Sequence, residues 1–130
     1  MKNISAVAKE VGLSAKTVRY YESIGLTSAP LRGENGYRCY NQDIINELNF
    51  VKRARAAGFN LEECKELIHL SKDENRTAAQ VKALTVEKIA DIEERIATLQ
   101  GMLSTLQSLA SSCPGDNSPN CSILKQLSNE

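Results

Sequence analysis

Apolar residues recur at helical spacing in several separate stretches, and the breaks between them mark where one helix ends and the next begins. Ile4, Val7, Ala8 and Val11 form a first apolar stripe, "GLS" interrupts it, and Ser14 caps a second stripe carrying Val18, Tyr21 and Ile24. Gly12 suits the backbone reversal, and the small Ala8 lets the two helices approach. This is a helix-turn-helix pattern. Its second helix presents Ser14, Lys16, Thr17, Arg19 and Tyr20 on surfaces that packing does not require.

The period then changes. In "PLRGENGYRCYN" the pair Asn35-Gly36 separates two short segments, predicting a two-residue hairpin in which both central residues take positive φ. Arg32, Tyr37, Arg38 and Tyr40 flank that turn, combining cations with hydroxyls that can donate to phosphate. Helical spacing returns with Ile44, Ile45, Leu48, Val51 and Ala54, capped by Asn41 and stopped by Gly58, with Arg53 and Arg55 near the end. Asn60 and Glu63 then form a capping-box pattern that opens a helix running to about residue 70. Cys64 and His69 in that helix lack the four-residue spacing of paired metal ligands, so they read as a buried thiol and a surface imidazole.

Residues 78–111 contain no proline and read as one helix of about nine turns. Ile89, Ile96 and Leu103 alternate with Ile92, Leu99 and Leu106 at intervals of three and four, which is a coiled-coil seam. So small a domain cannot bury such a stripe, and an identical helix from a second chain can, so a homodimer is expected. Extending the register backwards places Thr85 and Lys82 on the seam, where apolar residues are expected.

Composition alters this picture little, but charge and cysteine placement alter it considerably. The formal net charge of zero divides unevenly: residues 1–58 hold nine Lys or Arg against five acids, a net +4, leaving −4 for the remainder. A basic front half points to a polyanion as its partner. No apolar run reaches the length of a membrane span, and the N-terminus lacks the apolar core of a secretory signal, so the expected location is cytoplasmic. Thiols stay reduced there, and the four cysteines, Cys39, Cys64, Cys113 and Cys121, are not expected to form a disulfide framework. No enzyme is expected: His69 has no partner nucleophile, and there is no glycine-rich phosphate loop.

In order, "ISAVAKEVGLSAKTVRYYESIGL", "RGENGYRCY", "RARAAGFNLEECKELI", a long helix and the closing "CPGDNSPNC" resemble the mercury-resistance-type (MerR) transcriptional regulators, and the last motif resembles the copper-efflux branch of that family. The resemblance implies a mainly α fold. A winged helix-turn-helix DNA-binding domain with connector helices would occupy residues 1–70, a hinge 71–77, a dimerisation helix 78–111, and a metal-binding loop with a short helix 112–130. It also implies dimers that bind double-stranded promoter DNA and, with the effector bound, bend and undertwist it so that RNA polymerase finds its two recognition elements realigned. Arg19, Tyr20, Arg32, Tyr37 and Arg38 would make the main contacts. Ser14, Lys16, Thr17 and Arg55 complete the DNA-binding candidates.

Cys113 and Cys121 can converge on one ion, and no third strong ligand is local. Zinc needs more donors than this loop holds, whereas soft thiolates favour Cu(I), one per subunit, with Ag(I) or Au(I) able to replace it. Divalent-metal sensors of the family carry a further cysteine at the start of the long helix, and copper sensors usually carry serine; here the residue is Ala78, which supplies no donor. Two thiolates around a monovalent ion leave one negative charge, which Lys82, one helical turn after Ala78, can compensate. The segment after Cys121 can add a helix N-terminus facing the ion, with Ile123, Leu124 and Leu127 available for docking. The alternative is a thiol redox sensor that forms a Cys113–Cys121 disulfide.

Overall fold

A computed structural model describes residues 2–34 and 36–128. Six helices and one two-stranded hairpin follow one another: α1 (Ile4–Val11), α2 (Ala15–Ser23), β1 (Leu31–Arg32), β2 (Arg38–Cys39), α3 (Gln42–Ala56), α4 (Leu61–Lys72), α5 (Ala78–Ser112) and α6 (Ser122–Ser128). The chain divides into two compact units, Met1–Thr85 and Val86–Glu130.

In the first unit each helix starts where a side chain satisfies its orphan amides. Asn3, Ser14, Asn41 and Asn60 accept from Ala6, Thr17, Ile44 and Glu63. The Asn60–Glu63 box is reciprocal, both bonds being 2.8 Å. Gly12 ends α1 at φ 75°, a left-handed conformation that glycine adopts without a Cβ penalty. The apolar stripes of α1 to α4 close on one core. Val7, Val18, Leu48, Val51 and Cys64 are almost fully enclosed in it, with Phe50, Phe59 and Val81 packed at its margin.

Three expectations about this unit are corrected. The hairpin pairs Leu31 with Cys39 and Arg32 with Arg38, and the Gly33 amide then donates to the Tyr37 carbonyl at 2.9 Å. The Gly36 amide in turn donates to the Gly33 carbonyl at 2.9 Å, so three residues, 34–36, lie beyond the last pair instead of two. Gly36 has φ 81°; the positive φ expected of Asn35 falls outside the described residues. Tyr40 is a core residue, 1% exposed, and its backbone bridges to Lys2. Ile24, assigned to the apolar stripe, is 37% exposed at the end of α2. Sequence periodicity places a residue on a helix face, but only the packed neighbours decide how far burial extends.

α4 continues through Lys72, and residues 73–77 link it to α5. Thr77 and Gln80 start α5 reciprocally: the Gln80 amide donates to Thr77 Oγ1, and the Thr77 amide to Gln80 Oε1. In the second unit Ile89, Ile96, Leu99, Leu103 and Leu106 remain about half exposed or more. Ile92 is half-buried. Among the described residues no helix is long and apolar enough to cross a membrane.

Candidate nucleic-acid interface and metal centre

The two-helix motif is assembled from its turn outward. Ser14 Oγ accepts from the Thr17 amide at 3.0 Å and lies 2.8 Å from Thr17 Oγ1, so these two hydroxyls are used in starting α2. Lys16, Arg19 and Tyr20 project from the same helix and are exposed. On the wing Tyr37 is 71% exposed, and Arg32 is exposed while its Nη1 donates to the Gly36 carbonyl at 2.9 Å. Arg55, also exposed, donates to the Phe59 carbonyl beyond the end of α3.

Arg38 is placed differently. Its Nε lies 3.3 Å from Glu22 Oε1, and the Tyr40 hydroxyl donates to the same carboxylate at 3.4 Å, tying the wing to α2. Burial raises the Tyr40 pKa, and the neighbouring Glu22 charge adds to the rise.

Glu47 is one of the five acids counted in residues 1–58. It lies on the inner face of α3, only 8% exposed. It accepts from the Ser28 amide at 2.9 Å and the Ser28 hydroxyl at 2.7 Å, and also pairs with Lys72. Burial pushes its pKa up, but the bonds from Lys72 and Ser28 outweigh burial and hold it below the ordinary value. The signal available in the sequence was its position, three residues after Ile44 and four before Val51, on the apolar stripe.

The two candidate thiols are held at helix ends. The Cys113 amide donates to the Ala110 carbonyl, continuing the last turn of α5, and the Cys121 carbonyl accepts from Lys125 in the first turn of α6. Between them Asp116 Oδ1 accepts from the Ser118 amide, Ser118 Oγ accepts from the Asn120 amide, and Gly115 takes φ 67°. Ser112 and Ser122 hydroxyls meet at 3.0 Å, and Gln126 donates to Ser112, closing the base of the loop.

This frame sets Cys113 Sγ 3.7 Å from Cys121 Sγ. That is well beyond a disulfide bond of about 2.05 Å, yet close enough for one ion to reach both sulfurs with thiolate bonds of about 2.3 Å. The Leu124 amide facing Cys121, then the Cys113 thiol and the Ile123 amide, hold the Cys121 pKa below its ordinary value of 9.0. Among the described residues no three His, Cys, Asp or Glu side chains are grouped so that they could hold a metal ion. The loop thus offers a metal ion two sulfur donors.

Cys64 is fully buried, with its pKa raised by that burial, and Cys39 lies half-buried in the wing. Lys82 and Ala78 are exposed on α5, in the first unit.

A capped helix-turn-helix, a basic wing and a long helix ending in a dithiol loop define a DNA-binding regulator of transcription, not an enzyme. Residues 2–70 match the MerR HTH family regulatory proteins, and residues 45–109 match the family described as MerR, DNA binding. The chain is 53% identical over 126 residues to the HTH-type transcriptional regulator CueR of Salmonella typhimurium, covering 97% of this chain and 91% of that protein. Among solved structures it is similar to the lead(II) complex of the regulator PbrR691 from Ralstonia metallidurans, with TM-score 0.87, 31% identity, and 98% and 99% of the two chains covered. It is also similar to the mercury(II) complex of MerR from Bacillus megaterium, with TM-score 0.71, 32% identity, and 92% and 94% covered. The chain belongs to the MerR family.

Proposed function

We propose that the protein is a cytoplasmic Cu(I)-responsive activator that binds promoter DNA as a homodimer and, with one Cu(I) per subunit, distorts that DNA for RNA polymerase to transcribe copper-efflux and detoxification genes. The observation that carries the metal assignment is the pair of sulfurs 3.7 Å apart, with no third metal donor grouped with them among the described residues. Lead(II) and mercury(II) are bound by the two solved relatives. In this chain Ala78 offers no donor, which favours Cu(I), Ag(I) or Au(I) over a divalent ion.

In this reading residues 1–70 form the DNA-binding domain, 71–77 the hinge, 78–111 the dimerisation helix and 112–130 the sensor. Lys16, Arg19, Tyr20, Arg32, Tyr37 and Arg55 approach the DNA. Ser14 and Thr17 shape the helix start, and Arg38 adds its charge from beside Glu22.

Exposed apolar residues at three- and four-residue spacing on α5 support the dimer. Two thiolates on one monovalent ion leave one negative charge, which the ammonium of Lys82 would offset. Metal binding orders the loop, and Leu124 and Leu127, 66% and 69% exposed on α6, then dock and shift the DNA-binding domains.

The test is anaerobic titration of the reduced protein with Cu(I), and separately Zn(II), against a strong chelator, beside Cys113→Ser. One tight Cu(I) per subunit is expected, abolished by the substitution and unmatched by Zn(II). Weak Cu(I) binding that survives Cys113→Ser overturns the reading. The sulfur separation also supports a second one, a redox switch, which predicts a promoter response to oxidant in the absence of metal.

A further inference from the structure

We infer that Lys52 is a positioning residue for DNA recognition, not one of the cations that meet the phosphate backbone. Its Nζ reaches from α3 to the Val11 carbonyl at 2.8 Å, across 41 residues of sequence. That carbonyl lies at the C-terminal end of α1, where unpaired carbonyls gather negative partial charge that a cation stabilises. Only residues 12–14 separate this point from α2, which carries Lys16, Arg19 and Tyr20. Pinning Val11 to α3 therefore sets the turn that launches the DNA-reading helix. A second observation agrees: a Cβ at Gly12 would lie 2.5 Å from Lys52 Nζ, so the ammonium occupies the space beside the turn that a side chain would need. The inference rests on DNA binding through α2 and is independent of the metal.

A cation that neutralises a phosphate contributes about 0.9 to the slope of log affinity against log salt, whereas a cation used inside the protein contributes nothing. The experiment measures apo-protein affinity, across a salt series, for a duplex that the wild type selects from a random-sequence pool. Lys52→Met is expected to weaken binding about tenfold, as losing a charge-assisted bond does, with the salt slope unchanged and Lys52→Arg restoring most of the affinity. Lys52→Gln replaces the methionine variant if circular dichroism shows that the latter does not fold. Gly12→Ala, which strains the backbone at φ 75° and also crowds the ammonium, is expected to weaken binding by itself and to combine non-additively with Lys52→Met. A slope reduced by about one reassigns Lys52 to a phosphate, and unchanged affinity or full additivity likewise overturns the inference. Wild type that selects no duplex instead overturns DNA binding itself.

Discussion

Glu47, Glu22 and Lys52 carry much of what the residue scale adds. Five acids and nine cations in residues 1–58 read as a basic surface, yet Lys2 pairs with Glu10, Arg38 with Glu22, and Lys52 with a helix carbonyl. Fewer than nine of these cations are therefore uncommitted and available to a polyanion. Glu47 leads to a pH prediction. Its folded pKa lies below its ordinary 4.5, so its contribution to stability is complete above that value and is lost as pH falls through the folded pKa. Glu47→Gln is expected to destabilise by about 1–3 kcal/mol at neutral pH, with the gap from wild type narrowing below pH 4.5. Urea denaturation from pH 7 to pH 3 reads this out, and a gap that widens in acid contradicts it.

At the scale of elements, local chemistry decides where helices begin, and the capping residues were legible in the sequence: Ser14, Asn41 and Asn60 all cap as expected. The Asn60 box closes the first turn of α4 with two reciprocal bonds. Asn60→Ala should lower stability by about 1 kcal/mol and speed amide exchange in the first turn of α4 ahead of its last. Uniform exchange along α4 would argue against that role. The hairpin was less legible. Asn-Gly favours a tight turn wherever it occurs, but strand register depends on long-range bonds, here the Gly33–Tyr37 pairing and the bridge from Lys2 to Tyr40.

For the whole molecule the decisive feature is α5, 35 residues long and so about 52 Å, with its apolar stripe exposed in the single chain. Burying that stripe against a second copy would supply a hydrophobic gain that the chain alone lacks. Leu99→Glu puts a charge in the middle of the seam and is expected to yield monomers at micromolar concentration in sedimentation experiments, with promoter affinity falling in parallel. A variant that still sediments as a dimer places the dimer interface elsewhere.

By itself the sequence determined the helices, their caps, the basic wing, the apolar seam and the pair of terminal cysteines, because spacing and capping act over a few residues. Family membership was legible for the same reason, as its motifs are local and ordered. Tertiary structure alone decided that Tyr40 is core, that Glu47 is a buried hydrogen-bonded acid, and that Lys52 reaches across to Val11. It alone also set the two sulfurs 3.7 Å apart. These outcomes depend on which side chains meet across distant segments, and a hydrogen bond spanning 41 residues leaves no periodic trace in the chain.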